Sequence, residues 1–323
     1  MADNSPLNRL GYKGDIQLAL QRACNAFAIG SLKDFSVIGV GYEDCNIVIN
    51  TEKGKYVTKI FAQTRKTEDI ERYSQIMERA VEAGVNHPNL YKTNKGEVVY
   101  NDGSETNLSL VLMDYIAGNT FLELDRAPNE IERSAILEQA ALINKIDYHP
   151  PYLLDSWAIV NIEVMFDRVK QYIQPEDIVL VEKAVDRYKS LPIKDLPHSF
   201  VHGDFTKANV LKAEDGKIYI LDFSVANWYP RIQELAVITA NLLYDKDNSQ
   251  SLQDKTEIVA DEYSKYNLLE VVEQKYLYDY TLAGIAMEFR GSHQEKYIKG
   301  NDTEETDYWL GLGREGLRSE LLK

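Results

Sequence analysis

The segment from residue 199 to residue 224 constrains the fold more than any other part of the chain. It predicts a short apolar strand, a polar loop over 202–209, a brief strand, a turn, and a further strand that ends in Asp222. Asp204, Asn209 and Asp222 therefore lie where strands end and loops begin. A loop held between strands can orient such side chains without being part of the core.

These three side chains suit the transfer of a phosphoryl group from a nucleotide. That reaction needs a carboxylate that orients the acceptor hydroxyl and takes its proton, and oxygen ligands for magnesium. An Asp with an Asn five residues later supplies one of each from a single loop, and the second Asp completes the metal site. The spacing matches the H-x-D-x-x-x-x-N and D-F-G motifs of protein kinases, with Gly203 in place of their Arg and Ser224 in place of their second Gly. The alternative interpretation is a polar surface turn followed by a buried strand.

The pattern resembles that of the aminoglycoside phosphotransferase, choline kinase and homoserine kinase superfamily, whose catalytic loop is H-G-D-x-x-x-x-N. The resemblance extends over residues 35–244. It implies Asp204 as the catalytic base, Asn209 and Asp222 as magnesium ligands, and ATP as the phosphoryl donor, with GTP left open. It also implies a hydroxyl of a small molecule as the acceptor. Aminoglycosides, choline or ethanolamine, homoserine and sugars all stay open as that acceptor.

The implied fold is α+β, a two-lobed protein-kinase-like fold. We expect an N-terminal nucleotide-binding lobe over 1–113, with an antiparallel sheet and one main helix. We expect a mostly helical C-terminal lobe over 114–323 that carries the catalytic and acceptor-binding residues. Apolar periodicity predicts helices over 15–29, 67–84, 131–146, 156–171, 175–188, 232–244, 251–266, 268–289 and 303–322.

A glycine-containing turn between two predicted strands over 35–50 is a candidate phosphate-binding element. Gly39 and Gly41 would let the backbone pass close to phosphates, and Asp44 stands where the protein-kinase loop has its third glycine. On the next predicted strand, Lys59 lies among apolar residues and would reach the α- and β-phosphates. The alternatives are an ordinary tight hairpin and a lysine on the solvent side of its strand.

A carboxylate partner for Lys59 is expected on the helix predicted over 67–84. Glu71 is the predicted partner and Glu78 the alternative, because the sequence alone does not fix the register. Most acidic residues on such a helix are simply solvated.

The stretch over 111–118 resembles the linker of the superfamily, in which backbone groups hold the adenine edge. The resemblance implies Met113, Tyr115 and Ile116 as nucleotide-binding residues. The same residues equally predict a buried strand that runs into a glycine turn. A polar turn is predicted just before this stretch, over 101–107.

Four further residues relate to the catalytic loop. His202 is predicted to position Asp204 by hydrogen bonding to nearby backbone. Lys207 replaces part of the usual His-Pro-Gly filling and would either neutralise the transferred phosphoryl group or point at solvent. Glu234 stands where the superfamily has an Asp that ties its helix to the loop, and Asn144 stands where many relatives carry a His.

The charge balance limits the classes of partner. The 51 acidic and 36 basic residues give a net charge of −15, which argues against nucleic acid and anionic membranes and is compatible with a cationic acceptor. The two cysteines form no C-x-x-C or Cys/His cluster, and the first residues lack the features of a secretory signal, so we expect a cytoplasmic location. The sequence does not indicate an oligomeric state.

Two other functional classes stay open at this stage. One is a nucleotide-binding regulator without turnover, against which the complete set of motif residues argues. The other is a protein kinase. The short span between Asp222 and Glu234 leaves little room for the activation segment that such an enzyme needs.

Overall fold

A computed structural model describes residues 6–103, 108–246 and 250–322, and the chain divides into two compact units. Among the described residues, the first comprises 6–82, 87–103 and 108–117, and the second comprises 83–86, 118–246 and 250–322. The roles predicted for an N-terminal and a C-terminal lobe stay predictions. Residues 104–107 of the predicted polar turn lie outside the described residues.

The first unit is built on an antiparallel sheet of five strands in the order β1-β2-β3-β5-β4. Its strands are β1 (Leu32–Val37), β2 (Cys45–Thr51), β3 (Lys55–Ile60), β4 (Tyr100–Asn101) and β5 (Ser109–Asp114). Its helices are α1 (Pro6–Arg9), α2 (Ile16–Ala26) and α3 (Thr67–Glu82).

The alternation of side chains along β2 and β3 gives this sheet two different faces. Ile47 and Ile49 point to one face, where they form a core with Leu20 and Ala23 of α2. Residues between them point to the other face, because successive side chains of a strand alternate. Lys59 pairs with Asn46 across the two strands and so belongs to this second face.

The second unit is mostly helical and contains two small antiparallel sheets, β6-β8-β9 and β10-β7. Its strands are β6 (Gly118–Thr120), β7 (His198–Val201), β8 (Val210–Ala213), β9 (Ile218–Ile220) and β10 (Asn227–Pro230). Its helices are α4 (Glu130–Asn144), α5 (Ile162–Val169), α6 (Pro175–Lys189), α7 (Ile232–Val237), α8 (Leu252–Tyr263), α9 (Val271–Gln294) and α10 (Glu304–Leu321). Shorter 3₁₀ turns are Ile159–Asn161, Lys170–Tyr172 and Ile193–Asp195, and π-helical turns are Ile238–Leu242 and Glu295–Lys299.

The predicted elements differ from the structure mainly at their ends. The helix predicted over 156–171 is shortened to α5 between two 3₁₀ turns, and the helix predicted over 232–244 changes to a π-helical turn after Val237. Of the helices described, none combines the length and apolar character needed to cross a bilayer.

Candidate active site

The loop between β7 and β8 is organised by His202, which is buried. Its Nδ1 accepts the backbone N–H of Asp204 at 3.1 Å, so its Nε2 carries the proton and donates to the carbonyl of Leu221 at 2.9 Å. Gly203 has φ +82°, a left-handed conformation that glycine adopts without strain. The neutral imidazole therefore fixes the backbone of the loop, as predicted for His202.

Asp204 lies among other acidic groups of the second unit. Desolvation of its carboxylate, followed by the charges of Asp222, Glu288 and Asp155, raises its pKa well above the usual range. Asn209 opposes this shift, because its Nδ2 donates to Oδ2 of Asp204 at 2.6 Å. A carboxylate with a raised pKa is a better proton acceptor than an ordinary one.

Asp222 lies two residues after the end of β9 and has φ +62°, which is uncommon for a residue other than glycine. Its Oδ1 accepts the backbone N–H of Ser224 at 3.1 Å. Strained backbone of this kind clusters at functional sites, where the surrounding structure holds it in place.

The donor set of this loop fits a magnesium ion. The charge of Asp222 acts on Asp204, and Asn209 contacts Asp204 through its amide nitrogen, which leaves the amide oxygen as a further ligand. Magnesium is usually held by one or two carboxylates together with water and substrate phosphates. The described part of the chain contains no group of three or more His, Cys, Asp or Glu residues that could hold a metal by itself.

Glu234 of α7 holds the backbone of the loop between β7 and β8. It is completely buried, and its two carboxylate oxygens accept the backbone N–H groups of His202 at 2.8 Å and Gly203 at 2.9 Å. Burial raises the pKa of Glu234 to about 7. Glu234 therefore links α7 to the loop through hydrogen bonds, as its position in the sequence predicted.

Asn144, at the end of α4, is a supporting residue for which the sequence predicts no role. Its Nδ2 donates to the carbonyl of Phe200 at 3.0 Å, and its Oδ1 accepts the hydroxyl of Tyr263 at 2.7 Å. Its proximity also partly offsets the effect of burial on the pKa of Glu234. Asn144 thus joins α4, β7 and α8 next to the loop.

Lys207 does not point at solvent, because it is only 3% exposed. Its backbone N–H donates to Oδ1 of Asn241 at 3.0 Å, and its ammonium donates to the hydroxyl of Tyr308 at 3.3 Å. Asn241 in turn donates to Glu288 at 2.7 Å, whose pKa is raised to about 7 by burial. The solvent-facing alternative is thus wrong, and the loop is connected to α9 and α10.

In the first unit, Lys59 lies on β3 and is 3% exposed. Its ammonium lies 3.4 Å from Oδ2 of Asp44 and 5.1 Å from the centre of the Tyr73 ring. Gly41 has φ +106°, and no described atom comes within 4 Å of the place where a Cβ would lie at Gly39 or Gly41. The turn therefore has open space beside its backbone.

The predicted partner of Lys59, Glu71, is exposed on α3. Tyr73, two residues further on, is the residue of α3 whose ring faces Lys59. Residues two apart on a helix do not face the same way. Glu78, the alternative, pairs with Lys92 at 3.2 Å. This geometry favours Asp44 over either glutamate as the carboxylate beside Lys59.

The predicted adenine-binding residues lie at the end of β5 and just after it. Met113 is buried and pairs with Val57 of β3. Tyr115 and Ile116 are partly exposed, and Lys55 lies over the Tyr115 ring at 3.7 Å. The roles of these residues, like those of the other candidates, stay predictions.

The chain combines an antiparallel sheet and one main helix with a helical region, in which a loop between strands presents an Asp and an Asn. This combination defines the chain as a kinase-like phosphotransferase. The chain matches the model of the phosphotransferase enzyme family over residues 34–267, and it belongs to this family. The predicted superfamily, fold class and enzyme class are confirmed.

Individual relatives are distant. A homoserine kinase of Rhodopseudomonas palustris (strain HaA2) is 22% identical over 203 residues, which span 61% of this chain and 60% of the length of that relative. An amicoumacin kinase solved with AMP-PNP and Ca²⁺ is 15% identical with a TM-score of 0.67, and the match covers 95% of this chain and 94% of the other. A choline/ethanolamine kinase family protein from Mesorhizobium loti is 12% identical with a TM-score of 0.66, covering 95% and 96%. At these identities the structural matches show the fold.

Proposed function

We propose that this phosphotransferase uses Mg²⁺ and ATP, and that it transfers the γ-phosphoryl group of ATP to a hydroxyl of a small molecule that carries an amine. The observation that carries the proposal is the group Asp204, Asn209 and Asp222, which the strands and His202 hold in one loop region of the second unit.

Asp204 acts as the general base in this reaction. It accepts the proton of the acceptor hydroxyl while that oxygen bonds to the γ-phosphorus and the bond from the γ-phosphorus to the bridging oxygen breaks, so that ADP leaves. The raised pKa of Asp204 suits this role, since the proton must stay on the carboxylate after transfer. Asn209 and Asp222 would hold Mg²⁺, which when bound neutralises charge on the phosphates.

In the first unit, Lys59 binds the α- and β-phosphates and the turn with Gly39 and Gly41 lets backbone approach them. Support comes from the placement of Lys59 on the face of the sheet opposite the α2 core, and from the open space beside the two glycines. The stretch from Met113 to Ile116 holds the adenine ring.

An amine on the acceptor follows from the electrostatics of the second unit. Glu288 and Asp155 both act on Asp204 strongly enough to raise its pKa, so the surroundings of the base favour positive charge. The relatives point the same way, because they include kinases named for homoserine and for choline or ethanolamine.

The experiment is a measurement of ADP release with amine-bearing and neutral alcohols, with ATP and GTP as donors. We expect turnover with Mg-ATP and an amino alcohol or aminoglycoside. We expect Asp204→Asn and Asp222→Asn to lower kcat by about 10²-fold or more while the thermal unfolding temperature stays close to wild type. Asp215→Asn, which removes an exposed carboxylate from the turn after β8, is the control.

Two results would contradict the proposal. Near-normal turnover in both the Asp204 and the Asp222 variants would show that these residues do not have the roles assigned to them. Tight binding of Mg-ATP without ADP release for any acceptor would indicate a regulator instead.

A further inference from the structure

We infer that Asp44, at the end of the glycine turn, is a positioning residue that holds Lys59 for the nucleotide phosphates, in the role predicted for Glu71. The inference rests on the proposed function, because it assigns the partner of a lysine that is proposed to bind phosphates. It concerns residues of the first unit alone.

The pairing of β2 with β3 brings the two residues together. Asn46 lies opposite Lys59 in the antiparallel register, and Asp44 lies two residues before Asn46. Side chains two residues apart on a strand share a face of the sheet, and diagonal neighbours across an antiparallel pair are within reach of long side chains. A lysine at position 59 can therefore meet a carboxylate at position 44 without any rearrangement of the sheet.

Asp44 is held in one orientation by two donors on one of its oxygens. Oδ1 accepts the backbone N–H of Ala62 at 3.1 Å and the Nε–H of Arg65 at 2.9 Å. Oδ2 has no hydrogen-bond partner among the described residues and lies 3.4 Å from the ammonium of Lys59. The carboxylate is thus fixed by one oxygen and presents the other to Lys59.

Burial makes this pairing important for Lys59. The Lys59 and Asp44 residues are 3% and 7% exposed, so little water reaches either charge. Removal of one carboxylate from beside a buried ammonium group is therefore costly. Tyr73 also offers Lys59 a ring face at 5.1 Å, a cation–π contact. Glu71 is exposed on the other side of α3.

The position of Asp44 also couples the turn to the lysine. Asp44 directly precedes β2 and follows the stretch that contains Gly39 and Gly41. One carboxylate therefore fixes the end of the turn and the ammonium group at the same time. Nucleotide phosphates that bind to either would find both already in place.

The test is a double-mutant cycle on nucleotide binding, measured by calorimetry with Mg²⁺ and the non-hydrolysable analogue AMP-PNP in the absence of acceptor. We expect Asp44→Asn to weaken binding by about tenfold, as is common for coupled neighbours. In a Lys59→Met background the same change should have little further effect, because Asp44 acts through Lys59. Asp34→Asn, an exposed Asp on β1, is the control and should bind as wild type.

Each outcome decides between alternatives. The inference would be overturned if Asp44→Asn bound AMP-PNP with wild-type affinity, or if Asp44→Asn lost the same affinity with and without Lys59. It would also be overturned if Glu71→Gln lost affinity tenfold and Asp44→Asn lost none. A wild-type protein that binds no nucleotide would instead contradict the proposed function.

A second pair of variants covers the case in which Asp44→Asn does not fold. Asp44→Glu and Asp44→Gln have side chains of equal length and differ only in charge. We expect the Glu variant to bind AMP-PNP about fivefold or more tightly than the Gln variant. Equal affinity of the two would also overturn the inference.

Discussion

Among single residues, Glu234 has the clearest effect on the catalytic loop. In its ionised form the carboxylate accepts the N–H groups of both His202 and Gly203. In its protonated form one oxygen becomes a donor, so one of these two contacts is weakened. Burial nevertheless favours the protonated form and raises the pKa from the ordinary 4.5 to about 7. Two opposing effects therefore act on Glu234: the hydrogen bonds to the loop favour its ionised form, and the desolvation of its charge favours its protonated form.

The raised pKa of Glu234 predicts how stability changes with pH. From pH 4.5 to about 7 the folded protein keeps a proton that the unfolded chain releases, so the contribution of Glu234 to the free energy of unfolding falls as pH rises through this range. Glu234→Gln cannot titrate. We expect its free energy of unfolding to fall less than that of wild type between about pH 5 and about pH 8, by up to about 3 kcal/mol.

Urea unfolding at the two pH values measures this difference. Glu257→Gln on α8 is the control for the loss of one exposed carboxylate. Glu288 and Asp204 also have raised pKa values, so part of the pH dependence should remain in the Glu234 variant. An unchanged pH dependence in Glu234→Gln would contradict the assigned effect of burial.

The residues of the loop differ in how far the sequence could predict them. Asp204 and Asn209 are five apart in one loop, so their spacing alone brings them together. The contacts of Asn144 join it to Phe200 and Tyr263, which lie far away in the sequence. Such contacts depend on how helices pack, and no local pattern encodes them. The same holds for Lys207, whose partner Tyr308 belongs to the last helix.

At the scale of elements, the packing of α10 against α9 depends on a glycine. A Cβ at Gly313 would lie 2.5 Å from the backbone nitrogen and 2.7 Å from the Cα of Phe289. No described atom lies within 4 Å of a Cβ built at Gly311, two residues earlier on the same helix. Close approach of the two helices therefore requires glycine at one position and not at the other.

This contrast predicts opposite effects of the same substitution. Gly313→Ala should lower the free energy of unfolding by about 1 to 3 kcal/mol, because backbone atoms must move apart to admit the methyl group. Gly311→Ala should raise it by about 0.5 to 1 kcal/mol, since alanine favours the helix and meets no neighbour. Urea unfolding of the two variants measures both effects, and equal effects would show that α9 does not restrict Gly313.

The elements also show why the sequence does not fix which side chain of α3 faces Lys59. The apolar periodicity over 67–84 predicts the helix correctly, and the structure has it as Thr67–Glu82. Periodicity does not say which side chain lies over a given strand residue, and a rotation of the helix exchanges Tyr73 for Glu71. The register of β2 against β3, which brings Asp44 near Lys59, is set more locally, because a hairpin with a short turn fixes its own pairing.

For the whole molecule, the motifs were sufficient to predict the kinase-like fold, and the net charge is compatible with the amine-bearing acceptor that we propose. The chain carries a net charge of −15. An excess of one sign raises the local concentration of ligands of the opposite sign, and this effect weakens as salt screens the charges. The acidic groups around Asp204 add a local contribution of the same sign.

The affinity for the acceptor should therefore depend on ionic strength. We expect the KM for a cationic amino alcohol to rise about threefold or more between about 0.02 M and about 0.3 M salt, because screening weakens attraction to the acidic protein. The KM for a neutral diol of the same length should change little, which controls for effects of salt on the enzyme itself. Glu288→Gln should reduce the salt dependence for the amino alcohol, since Glu288 is one of the charges that act on Asp204. Initial rates measured by ADP release give these values. If both alcohols showed the same salt dependence, the acceptor would be selected without reference to its charge.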